Sequence, residues 1–195
     1  MKKMISVLLA LVLAIGLGCA CAEGAGLPAY TYPGDDPVWA AVCNYMAEND
    51  FGFEVPEGGV LVPSPVIVKT ETSADETEAK VYGDFWEFVY VLKDRTLECT
   101  AGGSFPGVMK LEKKDGAWTV VSLELAEDGE NMADSIKALA GNDEELAKEI
   151  MNASSFDEGP EPQYRRAALI GYRDANKLEI DAYKDFGWDP VSLND

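Results

Sequence analysis

Apolar residues first fall into register at Val38. Val38, Val42 and Met46, with Trp39 and Cys43 beside them, form one stripe at i, i+4 spacing. Asp36-Pro37 stands directly before it, which predicts a helix with Asp36 as N-cap and Pro37 at the first helical position, where a missing N–H costs nothing. This helix runs to about Asn49. Gly58-Gly59 and Pro56, Pro63 and Pro65 then predict a loop over 51–65 with a short edge strand at 60–62.

From Val66 the period shortens toward two. A strand is expected over 66–72, a polar turn over 73–77, and a long strand over 81–92 with Tyr82, Asp84, Trp86, Phe88, Tyr90 and Leu92 on one face. Its other face carries Val81, Phe85, Val89 and Val91, so it reads as a central strand covered on both sides. Further strands are expected over 96–101, ended by Gly102-Gly103, and over 108–113 and 118–125, joined by a hairpin at Asp115-Gly116. Short connections between successive strands make an antiparallel meander.

The pattern then returns to helical. Met132, Ile136 and Leu139 share a face up to Gly141, Asn142 with Glu145 reads as the cap of a second helix, and 154–162 reads as a linker. A last helix is expected over 164–176, with Tyr164, Ala168, Leu169 and Tyr172 inward and Arg165, Arg166 and Arg173 outward as the one basic patch. Residues 178–193 read as a docked strand or arm. The fold class is therefore α+β: an N-terminal helix on a four- to five-stranded antiparallel meander, followed by C-terminal helices and a docked tail.

The first 22 residues follow a different rule. Lys2-Lys3, an apolar run from Met4 to Leu17 and Ala20-Cys21-Ala22 before Glu23 make a secretory signal peptide with an A-x-A cleavage site. The run is short for a membrane span, so no transmembrane segment is expected in the mature chain. Cys19 leaves lipoprotein anchoring as the minor alternative to free secretion. Residues 23–35 follow as an extended lead-in, and 36–195 as one domain, with helix and sheet over 36–127 and the helical extension and tail over 128–195.

Charge narrows the partners. Sixteen Lys and Arg stand against 35 Asp and Glu, a net charge of −19, so nucleic acid and anionic lipid are repelled. The partner left open is a small molecule, a glycan or a protein. Beyond the signal segment only Cys43 and Cys99 remain; both read as inward-facing, as a disulfide formed in an oxidising compartment or as buried thiols.

The chain has no histidine, which excludes His-dependent triads, Cys–His pairs and His-ligated zinc. No metal set, cofactor motif or catalytic residue is assigned. Ser104 lies in Gly102-Gly103-Ser104-Phe105-Pro106, where proline replaces the last glycine of a nucleophile elbow, and it reads as a turn. Paired carboxylates remain open, with Asp84 and Glu87 interrupting the central strand. Tyr82, Asp84 and Trp86 are the candidate ligand-binding residues, because rings flanking an acid stack on a ligand and fix its polar group.

The helix followed by a four-strand meander, with Asp115-Gly116-x-Trp118-x-Val120 at its last hairpin, resembles the nuclear-transport-factor-like and cystatin-like superfamilies over about 36–127. That resemblance implies a curved sheet wrapping a helix around a conical pocket, and it transfers no functional residue. The sequence thus reads as a secreted, bacterial-type binding or interaction module without catalysis. The alternatives are a carboxylate-dependent enzyme, acting on glycans for instance, and a structural envelope-associated protein.

Overall fold

The computed structural model describes residues 26–49, 51–155 and 159–194. The expected signal peptide, with Cys19 and its alternative lipid anchor, lies outside the described residues. Helix α1 spans Pro37–Asn49 and starts as its sequence requires: Asp36 Oδ1 accepts the backbone N–H groups of Val38 at 2.8 Å and Trp39 at 3.0 Å. Strands β1 (Val60–Pro63), β2 (Val66–Thr72), β3 (Glu78–Asp84), β4 (Glu87–Lys93), β5 (Thr96–Gly103), β6 (Pro106–Lys114) and β7 (Ala117–Leu125) follow. Helices α2 (Met132–Leu139), α3 (Glu144–Ala153) and α4 (Glu161–Asn176) precede two short strands, β8 (Ala182–Lys184) and β9 (Val191–Ser192).

The expected meander is present, but creased. One sheet runs β2-β3-β6-β7 and the other β1-β4-β5-β8-β9. The run read as one strand over 81–92 is two, β3 and β4, which belong to different sheets. Ser64-Pro65, Phe85-Trp86 and Ser104-Phe105 each separate a strand of one sheet from a strand of the other, and they lie side by side. The meander therefore consists of long strands folded along a shared line. Two backbone bonds join neighbouring bends along that line, from Ser64 N to Trp86 O at 2.8 Å and from Phe85 N to Phe105 O at 3.1 Å. The side-chain alternation survives the bend, and all of 81–90 is buried. Gly102-Gly103 does not end β5, which runs through both glycines.

Asp84 closes the crease. Its Oδ1 accepts the N–H of Phe105 at 2.7 Å, so that backbone donor at the bend finds a partner inside the protein, and its Oδ2 accepts the Ser104 hydroxyl. The carboxyl is fully buried. Burial pushes its pKa up to about 6, against the opposing pull of the Ser104, Ser154 and Phe105 donors.

Helices cover both faces. Val42 and Met46 of α1 pack on Val81, Phe85, Met109 and Leu111, while Ile136, Leu146 and Ile150 of α2 and α3 pack on Tyr82 and Val108 behind the same sheet. The five-stranded sheet packs Phe88, Tyr90 and Leu97 against Leu169 and Tyr172 of α4. The Asp115-Gly116 hairpin turns with both residues at positive φ, 52° and 85°, as a primed turn requires.

Several helix boundaries differ from expectation. The cap of α3 is Asp143, which accepts the N–H groups of Glu145 and Leu146, while Asn142 adopts a left-handed conformation before it. Helix α4 begins at Glu161, inside the stretch expected as linker. Arg165, expected outward, is 3% exposed, because its guanidinium lies 3.9 Å from the Phe88 ring centroid and Nε donates to Tyr90 Oη at 2.6 Å. The expected docked tail is β8 and β9, with β8 parallel to β5.

Cys43 and Cys99 are free thiols, so the disulfide considered from sequence is not formed. Cys43 is on α1, at a cleft it lines with Pro63 and Ser64, whereas Cys99 is on β5 and packs against the core that holds Phe88, Tyr90 and Leu97.

Two substitutions test this architecture. Phe88 is 4% exposed between Trp86 and Arg165, so Phe88→Ala should cost ~3–5 kcal/mol in urea denaturation; a loss under about 1 kcal/mol contradicts its central place. Because the Asp84 pKa is raised on folding, its favourable contribution is full below about pH 4 and lost as pH rises through about 6. Asp84→Asn, which keeps the acceptor for Phe105, should therefore be more stable than wild type at pH 7.5 by on the order of 2 kcal/mol. That advantage should vanish at pH 4; a variant less stable at both pH values contradicts it.

Candidate functional site

The crease opens at one end onto an aromatic cleft of about 410 Å³. Four parts of the chain build it. The lead-in supplies Tyr30, Tyr32 and Pro33; α1 supplies Trp39 and Cys43; the bend between β1 and β2 supplies Pro63, Ser64 and Pro65; and α4 supplies Tyr164, Ala168 and Gly171.

Specific contacts hold the lead-in and the start of α1 in place. The lead-in is tied down by Leu27 N to Gly58 O at 3.0 Å and by the Tyr172 hydroxyl, which donates to Pro28 O at 2.6 Å. Tyr30 stacks on Tyr172 with centroids 6.2 Å apart. Gly171 lets Pro33 approach α4 closely: a Cβ there would lie 2.7 Å from Pro33 Cγ. Trp39 stands in the first turn of α1, held by the Asp36 cap that its own N–H joins.

The rings form a row along the cleft. Tyr32 and Trp39 stack at 6.4 Å and 21°, and Trp39 and Tyr164 at 6.2 Å with parallel planes. All three are half-buried, each keeping part of its ring open. Polar groups are few. Burial pushes the Cys43 thiol up to about 12, against the pull of the Tyr30 hydroxyl bonded to it, so the thiol stays protonated and unreactive at neutral pH. The same burial raises the Tyr30 hydroxyl. Ser64 is 1% exposed, and its Oγ has no hydrogen-bond partner.

None of the three residues singled out from sequence lines this cleft. Tyr82, Asp84 and Trp86 do share a face, but their polar groups are engaged internally. Tyr82 Oη donates to Glu71 Oε2 at 3.1 Å, Trp86 Nε1 donates to Ala153 O at 3.0 Å, and Asp84 holds the crease. Ser104, compared above with a nucleophile, is the donor to Asp84.

Sequence reasoning assigned Trp39 and Tyr164 to buried helix faces and left the lead-in without a role. The signal was Tyr30-Thr31-Tyr32-Pro33, two rings and a proline in a segment that solvent alone would not favour. The partner of that signal, the bend at Ser64-Pro65, becomes visible only when strand pairing is known.

Among the described residues no helix is long and apolar enough to cross a membrane, and no group of His, Cys, Asp or Glu is placed to hold a metal ion. No family model and no curated protein matches the chain. Among solved structures it is similar to the crystal structure of the intermembrane space region of chloroplast protein ARC6, at 14% identity over 47% of this chain and 68% of that one. The TM-score is 0.25, too low for that likeness to bear on fold or function.

Proposed function

We propose that this protein is a non-catalytic binding module whose aromatic cleft takes a small, flat, mainly apolar molecule with one hydrogen-bonding group. The observation that carries this reading is Ser64: a buried hydroxyl without a partner among the described residues, lining a cleft walled by rings. A buried polar group normally has a hydrogen-bond partner, and a ligand group meeting Ser64 supplies one. The cleft volume lies in the usual range for small-molecule sites, about 300–1,000 Å³.

The same wall argues against a glycan. Sugar hydroxyls need several partners, and those left unpaired on an apolar wall would each cost about 1–3 kcal/mol. A carboxylate-dependent enzyme would need an accessible acid pair, whereas Asp84 is fully buried with both oxygens occupied. With the signal segment expected from sequence, the ligand would be met outside the cytoplasm.

2-Naphthol, a flat molecule with one hydroxyl, is a suitable probe. At 100 times its Kd it should stabilise the protein by about 2.7 kcal/mol, read as a thermal shift. Ser64→Ala removes the unpartnered hydroxyl and should stabilise the empty protein by about 1 kcal/mol. It should also weaken 2-naphthol binding about tenfold while leaving naphthalene binding unchanged. Trp39→Ala should weaken both. An absent shift with wild type, or equal weakening of both probes by Ser64→Ala, contradicts the assignment.

A further inference from the structure

A second cavity, of about 160 Å³, opens on another side of α4. Glu161, Pro162 and Arg165 of the helix line it together with Tyr183, Asp185, Trp188 and Asp189 of the tail. Arg165 is internally neutralised: Nη1 donates to Asp185 Oδ2 at 2.9 Å, Nη2 donates to Asp185 Oδ1, and Nε donates to Tyr90 Oη. This bidentate pair occupies both Asp185 oxygens.

Glu161 is left over. It is 2% exposed, yet its Oε1 accepts no hydrogen bond from the described residues, and its cationic neighbour Arg165 Nη1 stands 4.0 Å away. Burial pushes its carboxyl up to about 6, the pull of Arg165 opposing that rise while Asp185 and Asp84 add to it. Asp189 on the rim adds a second acid with no cation opposite it among the lining residues. Trp188 is 74% exposed beside the opening, and its N–H holds the turn to Asp185 O at 3.1 Å. With Arg165 and Asp185 cancelling, the lining carries an excess of negative charge next to aromatic faces.

We propose that this cavity binds an alkylammonium ion, with the ammonium donating to Glu161 Oε1 and facing Asp189, and its methylenes lying against Tyr183 and Trp188. A compact ammonium suits the small volume, and its donors match the Glu161 Oε1 acceptor, which no donor among the described residues meets. The indole face adds cation–π attraction at the opening. The strongly acidic chain draws cations toward its surface, which favours encounter. A free amine and a lysine side chain of another protein present the same group.

The full chain, titrated with n-butylammonium chloride at pH 7.5 in 150 mM salt and followed by tryptophan fluorescence and calorimetry, tests this. One-site saturable binding is expected, with n-butanol at least tenfold weaker. Glu161→Gln should weaken n-butylammonium at least tenfold, and Trp188→Phe should abolish the fluorescence change while binding persists in calorimetry. Asp189→Asn, at an exposed position, should weaken binding several-fold and serves if Glu161→Gln does not fold. Trp39→Ala, in the aromatic cleft, should leave this binding unchanged, so the two sites are judged separately. Equal binding of Nα-acetyl-lysine methylamide assigns a lysine side chain; its failure beside a positive n-butylammonium titration assigns a free amine. Non-saturable binding, equal affinity for n-butanol, or unchanged affinity in both carboxylate variants overturns the proposal.

Discussion

Everything in this fold is arranged around the carboxylate of Asp84 at the bend of the sheet. A long antiparallel strand that folds over must leave some N–H groups without ladder partners, and an unpaired buried donor costs about as much as a lost hydrogen bond. Asp84 takes up one such donor, the N–H of Phe105, and accepts the Ser104 side-chain hydroxyl beside it, at the expense of burying its own charge. The bend carries the sheet past α3 toward α4, and Trp86 joins those layers through Ala153 at the end of α3. It also sets Ser64 and Pro65 against α4, which creates the aromatic cleft.

Much of this was legible in the residues, and the illegible part has a physical reason. Asp36-Pro37, Asp115-Gly116 and the alternation over 66–72 are local signals, and they gave α1, the β6–β7 hairpin and β2 at their observed places. The bend at Phe85-Trp86 leaves no such mark, because side-chain phase passes through it unchanged and both halves are buried on each face. Only the pairing of β3 with β6 and of β4 with β5 reveals it. For the same reason Tyr82, Asp84 and Trp86 looked like one site: they share a face but end in three separate contacts. Arg165 was misjudged because a helix pattern weighs residue type, whereas the Phe88 ring, Tyr90 and Asp185 come from distant parts of the chain.

Helix α4 lines two cavities with different faces. Tyr164, Ala168 and Gly171 wall the apolar cleft, while Glu161 and Arg165 face the charged cavity. One helix turn, 161–165, thus meets a mainly apolar environment on one side and a strongly polar one on the other. Arg165 makes this tolerable, since its guanidinium carbon lies 3.9 Å from the Phe88 ring centroid while its N–H groups meet Asp185 and Tyr90. A lysine there would lose the bidentate fork to Asp185.

The parallel pairing of β8 with β5 bears on how the chain comes together over time. Thr96 meets Ala182 only after 85 intervening residues have been made, so β5 spends that interval as a bare sheet edge. Such an edge is a template for pairing with other chains, and long-range closure is slow. Leu193, 1% exposed, and the Arg173 contact to its carbonyl at 2.7 Å then fasten the tail over that edge. The last strands thus act as a guard against self-association, and a chain lacking 181–193 would expose the β5 edge to its neighbours.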